Sequence, residues 1–218
     1  MRAFVVALVA LVFIAGCGAG DGNGETTESV ATSVDECASV QAPEAREPEP
    51  GQAPSASLDT SKTYTLTFDT SCGAFTITLD PELAPKTASS LVALANGGYF
   101  DDTIFHRVVP AFVIQGGDPT QSGAGGPGYS TVDVPPSDAA YTKGVVAMAK
   151  SGVEAPGTSG SQFFVVTGEN AGLPPEYAIV GEVTDGMDTV LRIDALGVGD
   201  GLPSQPVVVN SVTVTQTG

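Results

Sequence analysis

Apolar and polar side chains alternate with period two in "TYTLTFD" (Thr63–Asp69) and again in "AFTITLD" (Ala74–Asp80). The short "TSCG" lies between them, so the two stretches predict a β-hairpin with one buried face. The period then changes. In "APKTASSLVALANGG", Ala88, Leu91, Val92 and Ala95 stand at i, i+3, i+4 and i+7, with Pro85 suited to a first helical turn and Gly97–Gly98 to its stop. This predicts an amphipathic helix. Short apolar runs follow at "IFHRVV", "FVIQGG", "GVVAMA", "QFFVV", "YAIVGEV" and "VVVNSVTVT", with a second helix over Gly186–Leu196. Many short strands and two helices place the domain in the closed-barrel class without fixing the strand number.

The first 61 residues carry neither period. After Met1–Arg2 comes "AFVVALVALVFIAG", an apolar run too short for a comfortable membrane span and ending in small residues. This is the form of a secretory signal, residues 1–16. Its end, "IAGC" at Ile14–Cys17, resembles the lipobox of bacterial lipoproteins, which implies that Cys17 becomes the acylated first residue. Residues 17–61 are rich in Gly, Ser, Thr, Glu and Pro and have no face to bury, which predicts a flexible tether ahead of a domain at 62–218. The expected location is the cell membrane, lipid-anchored on the extracytoplasmic face. An exported compartment permits disulfides, and with Cys17 acylated the remaining pair is Cys37 and Cys72. They are a candidate disulfide that would pin the tether to the domain.

The chain has 218 residues, 25 acidic against 8 basic, and a formal net charge of -17, with no Lys/Arg cluster. Nucleic-acid binding is therefore not expected, and the acidity is read as solubility. A single histidine and no cysteine cluster argue against a metal site, and no cofactor is expected. "QSGAGGPG" (Gln121–Gly128) lacks the Lys-Ser/Thr and helix start of a phosphate cradle and is read as a loop. No supporting motif places a hydrolase nucleophile.

The motifs "FHRVVPAFVIQGGDP" (Phe105–Pro119), "GGPGYS", "GVVAMAKSG", "SGSQFFVVTGENAGL" and "YAIVGEVTDGMDTVLRI" occur in the order and spacing of the cyclophilin family of peptidyl-prolyl isomerases, and the likeness runs over about Thr63–Thr215. The resemblance implies a mainly β fold, a closed eight-stranded antiparallel β-barrel capped by two α-helices. It also implies isomerisation of Xaa-Pro bonds in extended or unfolded polypeptides. That chemistry asks for few groups. Rotation about the bond faces a barrier of about 18–20 kcal/mol because the nitrogen lone pair is delocalised into the carbonyl. A catalyst has only to favour the twisted state, so a fixed cationic donor over an apolar floor suffices.

By this likeness Arg107 is the donor. Phe112, Val113, Phe164 and Leu173 line the proline pocket, and Gln115 and Gln162 engage substrate backbone or orient Arg107. Ala149 and Lys150 offer main-chain groups to the peptide. Tyr177 stands where other members carry histidine, and His106 is expected at the rim as a contact residue, since no net proton transfer is needed. Gly172 stands where many members carry a large aromatic, which implies a thinner pocket wall and weak cyclosporin binding. A monomer is expected. Two other classes stay open at this point: a proline-binding chaperone or envelope interaction module without catalysis, and a structural lipoprotein that uses the barrel as a spacer.

Overall fold

The computed structural model describes residues 36–48 and 50–218. The expected signal segment and Cys17 lie outside the described residues. Along the chain come β1 (Thr63–Thr70), β2 (Gly73–Leu79), α1 (Pro85–Asn96), β3 (Thr103–Ile104), β4 (Arg107–Val109), β5 (Val113–Gly116), β6 (Thr131–Val132), β7 (Val145–Met148), β8 (Thr158–Ser159), β9 (Phe163–Val166), β10 (Ile179–Asp185), α2 (Met187–Asp194) and β11 (Val208–Thr217). Nine of the strands form one antiparallel sheet in the order β3-β11-β1-β2-β10-β7-β9-β5-β4, and β6 pairs with β8 apart from it.

The two ends of that order are neighbours in the chain. Only Phe105 and His106 separate β3 from β4, so the stretch Thr103–Val109 pairs with β11 on one side and β5 on the other. Counted as one bent strand it gives eight, curled round until the sheet meets itself. The curl is completed through the chain and not through a β3–β4 pair, which makes the barrel a little less closed than the likeness implies.

Burial explains the two kinds of strand pattern. β1 and β2 pair from Thr65↔Thr78 to Thr70↔Gly73, and Leu66, Phe68, Phe75 and Ile77 point into the barrel while the threonines between them are more exposed. In β5, β7 and β9 both faces are buried, so alternation disappears from the sequence. Ile114, Val146, Met148, Phe163 and Val165 enter the barrel core. Their neighbours Val113, Ala147, Phe164 and Val166 form a second cluster with Tyr141 on the outer face. The barrel core is built on Phe68, Phe75, Phe100, Phe105 and Phe163, whose ring centroids lie 5.0–6.3 Å apart in successive pairs. The second cluster becomes the floor of a groove.

Helix α1 starts on Pro85 with no side-chain cap from Ala84. Asp133, after β6, supplies the cap instead: its carboxylate accepts the Thr87 amide at 2.7 Å and the Thr87 hydroxyl at 2.7 Å. Helix α2 spans Met187–Asp194, within the expected Gly186–Leu196.

In the part of the expected tether that the structure describes, the candidate Cys37–Cys72 disulfide is present, and the segment is docked rather than a free tether. Residues 36–48 and 50–61 lie along the domain as a strap. Cys37 is joined to Cys72 by a disulfide, and the Ala38 amide donates to the Ser71 carbonyl. Arg46 donates to the carbonyls of Tyr99 (2.6 Å) and Asp101 (2.9 Å), while its own amide reaches Pro119. Gly51 bonds Pro127 and Leu58 bonds the Ser89 hydroxyl. The strap is thus held mainly by hydrogen bonds to carbonyls and hydroxyls of the domain, with Cys37 and Leu58 packed against the core.

Candidate active site

Strand β4 and strand β5 put Arg107 directly opposite Gln115, and the next strand puts Phe164 opposite Gln115. All three side chains rise from the outer face of the sheet because each alternates with a residue that enters the barrel. The turn from β4 to β5, closed by the Phe112 amide on the Val109 carbonyl at 3.1 Å, is pinned from outside by a carboxylate. Ala111, at φ 56°, donates its amide to both carboxylate oxygens of Asp194 at 3.1 Å, and Thr167 donates its hydroxyl to the same group at 2.6 Å. The Phe112 carbonyl accepts the Thr167 amide at 3.0 Å. These contacts fix Phe112, whose ring centroid lies 5.9 Å from the Arg107 guanidinium carbon.

Together the residues enclose a cavity of about 180 Å³ lined by Arg107, Phe112, Val113, Gln115, Ala149, Lys150, Phe164, Leu173 and Tyr177. Its back wall is stiff. The buried Tyr141 hydroxyl donates to the Tyr177 carbonyl at 2.7 Å and accepts the Tyr177 amide at 3.0 Å. The Tyr177 ring meets Phe164 edge-on at 5.7 Å and Tyr141 at 6.0 Å. Lys150 has a side chain only 2 % exposed, paired with Glu176 at 3.0 Å and 5.4 Å from the centroid of Tyr177. It also donates to the carbonyls of Ser151 and Glu154, so it ties the loop after β7 to this wall. The Ala149 amide is committed to the Gln162 carbonyl, which leaves its own carbonyl as the group it can offer a peptide.

A chain of amides runs along the rim. Arg107 Nη1 donates to Gln115 Oε1 at 3.3 Å, Gln115 Nε2 donates to Gln162 Oε1 at 3.1 Å, and Gln162 Nε2 donates to the Gly125 carbonyl at 2.9 Å. Gly125 belongs to the loop after β5, and that loop is organised by Asp118. This fully buried carboxylate accepts the amides of Thr120, Gly123 and Gly125 and the Thr120 hydroxyl. Burial alone would raise its pKa, but those hydrogen bonds hold it below the usual aspartate value. A larger hollow of about 750 Å³ lies between this loop and residues 149–154, continuous with the first through Gln115, Ala149 and Lys150, and Gln162 lines it.

Nine of the expected residues thus meet around one cavity, and Gln162 stands beside it. His106 is placed differently from the expectation of a rim contact. It is 8 % exposed and lies behind Gln115, with its Nε2 3.5 Å from Gln115 Nε2. Its Nδ1 is buried without a hydrogen-bond partner. Burial pushes its pKa down, with a smaller push from Arg107, against the opposing pull of Asp118 and Gln162. A neutral ring is the state this setting favours.

Gly172 lies at φ 62° with open space where a side chain would stand. It is outside the cavity lining, so the proline-sized pocket is closed by Phe164, Leu173 and Tyr177 without it. The positive φ also means that any aromatic introduced there adopts a left-handed backbone that L-residues disfavour.

Sequence reasoning missed Asp200. Its carboxylate grips Arg107 along one edge, Oδ1 to Nε at 2.5 Å and Oδ2 to Nη2 at 3.1 Å. The hydrogen bonds from Arg107 hold the Asp200 carboxyl below the usual aspartate value. The only signal was an acid between two glycines in "GVGDGLP", too common a pattern to single out.

Chemically, the cavity can take a five-membered apolar ring and present a cationic donor at its edge. Among the described residues that line it there is no serine, threonine or cysteine. Comparison with known proteins agrees with that reading. The family model for cyclophilin-type peptidyl-prolyl cis-trans isomerases matches residues 65–214. The chain is 37 % identical over 171 residues to the probable peptidyl-prolyl cis-trans isomerase A of Mycobacterium leprae, covering 69 % of this chain and 92 % of the relative. It is 42 % identical over 132 residues to the peptidyl-prolyl cis-trans isomerase-like 1 of Emericella nidulans, covering 59 % and 80 %. Among solved structures, a Cryptosporidium parvum cyclophilin-type isomerase crystallised in the presence of the dipeptide Ala-Pro superposes with TM-score 0.63 at 29 % identity, over 69 % of this chain and 98 % of that one.

Proposed function

The chain belongs to the cyclophilin-type peptidyl-prolyl cis-trans isomerase family, and from that premise we propose that it is a lipid-anchored isomerase assisting the folding of exported proteins. The observation that carries the catalytic part is Arg107 set over an apolar cavity of about 180 Å³, with its Nη1 edge turned toward Gln115. A prolyl ring in that cavity is held by Phe112, Val113, Phe164 and Leu173. As the bond twists, its nitrogen becomes pyramidal and its lone pair, no longer delocalised into the carbonyl, localises on it, so a guanidinium N–H has an acceptor that the planar ground state lacks. Gln115 keeps the fork facing the ring. His106, buried and neutral, acts as packing behind Gln115. The reaction needs no cofactor and no energy source, which suits a compartment outside the cytoplasm. Isomerisation kinetics on short Xaa-Pro peptides test this reading, and a wild-type protein that binds them without accelerating rotation would make it a proline-binding module.

The anchor rests on the "IAGC" sequence. Cys17→Ser should release the protein or leave an uncleaved precursor, because the acyl chains supply the apolar burial that holds it to the membrane. Normal cleavage with unchanged membrane retention would refute the lipoprotein reading. Weak cyclosporin binding follows from Gly172, and tight inhibition in the same isomerase assay would contradict it.

A further inference from the structure

We propose that Asp200 is a positioning residue for the reaction, aiming the Arg107 guanidinium into the proline cavity. The inference rests on the reading of Arg107 as the donor to the prolyl bond. A guanidinium has five N–H groups in a rigid plane. Asp200 takes one from Nε and one from Nη2, and Gln115 takes one from Nη1. Two N–H groups remain, one on each terminal nitrogen, outside the bonds to Asp200 and Gln115. Those two are the groups left to address a substrate in the cavity.

The placement of Asp200 is built into the backbone. Strand β4 is an edge of the sheet, and its Val108 amide, next to Arg107, donates to the Gly201 carbonyl at 2.7 Å. The loop that carries Asp200 is closed by the Ser204 amide on the Leu196 carbonyl at 2.8 Å. The carboxylate and the guanidinium therefore hang from two stretches of chain that are hydrogen-bonded one residue away from each of them. Without Asp200, Arg107 keeps, among the described residues, only the single 3.3 Å bond to Gln115 and the Phe112 ring. The arginine side chain is then free about its outer torsions. Two sp³ torsions with about three staggered wells each spread it over roughly nine arrangements.

The pair is solvent-facing, with side chains 32 % and 67 % exposed for Arg107 and Asp200, so its contribution to folding is small. A catalytic effect can therefore be separated from a structural one. The test compares wild type, Asp200→Ala, Asp200→Asn, Arg107→Ala and, as a control for loss of an exposed carboxylate in an ion pair outside the cavity lining, Asp188→Asn, in the full chain.

Asp200→Ala should lower kcat/KM about five- to ten-fold with peptide affinity from chemical-shift titration changed less than about two-fold, following the loss of pre-set orientation. Its thermal midpoint should match wild type. Asp200→Asn, which keeps one acceptor, should fall between, and Asp188→Asn should match wild type. The Arg107 Nε–H proton, slow to exchange with water in the wild type, should exchange fast in Asp200→Ala. Activity of Asp200→Ala equal to wild type overturns the inference, and so does increased activity, which would make Asp200 a competitor that substrate must displace. A wild type without isomerase activity, or an active Arg107→Ala, instead removes the premise about Arg107 itself.

Discussion

Replacing Cys37 by serine cuts the covalent link between the strap and the barrel. Cys72 is then left as a thiol in the core, 3 % exposed, where a free cysteine packs as a small apolar residue. The native-state contacts of the barrel change little, so the effect is mainly on the unfolded chain. The bridge spans a sequence separation of 35 residues. Chain-entropy closure of a loop of that length corresponds to about 3.8 kcal/mol at 25 °C. For a domain of this size such a loss lowers the melting midpoint by about 8–15 °C. The strap retains its other anchors, Arg46 on the Tyr99 and Asp101 carbonyls and Gly51 on Pro127, so it should stay docked in the folded mutant. Calorimetry and urea titration of wild type and Cys37→Ser, each with and without dithiothreitol, measure this. Reductant should move the wild type to the mutant's midpoint and leave the mutant unmoved. The bridge lies outside the lining of the proline cavity, so peptide isomerisation should be unaffected. A loss under about 1 kcal/mol would refute the reasoning, because it would mean that the closed loop does not restrict the unfolded chain as the model requires. A loss of isomerase activity would show that the strap acts on the groove.

Phe112→Ala removes part of the cavity floor and the aromatic partner of Arg107; losing about 50 Å² of apolar contact at about 25 cal/mol per Å² should weaken peptide binding roughly ten-fold, read by titration, with kcat/KM falling at least as far. His106 has its pKa pushed below the ordinary 6.5 by burial, so the unfolded chain binds more protons there as pH falls. Its contribution to stability is then complete above pH 6.5 and is lost as pH falls from 6.5 through the folded-state value, and urea midpoints from pH 7.5 down to pH 5 should drop more for wild type than for His106→Gln; equal drops would contradict the buried neutral ring.

How much of this was legible in the sequence depends on which force holds each part. The hairpin of β1 and β2 and the helix α1 show their period because one face of each is buried and the other is not. Strands β5, β7 and β9 show only as apolar runs, since the barrel core takes one face and the groove floor the other. No periodicity could assign Phe163 to the barrel and Phe164 to the groove; the likeness to a family placed Phe164 in the groove, and the structure places Phe163 in the barrel and Arg107 opposite Gln115. The Cys37–Cys72 link was legible, but the docking of the rest of the strap escaped because the Arg46 fork and the main-chain bonds leave no apolar pattern. Asp194 and Asp200 escaped for a related reason. Each acts across more than 80 residues of chain on a turn or a side chain of the β4–β5 hairpin, and an isolated acid near a helix end or in a glycine loop looks like surface charge. His106 was expected at the rim through the likeness, whereas Gln115 and the loop around Gly123 cover it in the structure.

Isomerisation kinetics of Arg107→Ala alongside peptide affinity decide whether Arg107 stabilises the twisted prolyl bond. Loss of a preorganised donor of this kind costs about 2.7–4 kcal/mol in the transition state, by analogy with oxyanion-hole donors. The account predicts a fall in kcat/KM of roughly a hundred- to a thousand-fold, with the dissociation constant for the peptide nearly unchanged. A variant that isomerises peptides at the wild-type rate, or one whose loss of rate is matched by an equal loss of peptide affinity, would contradict it.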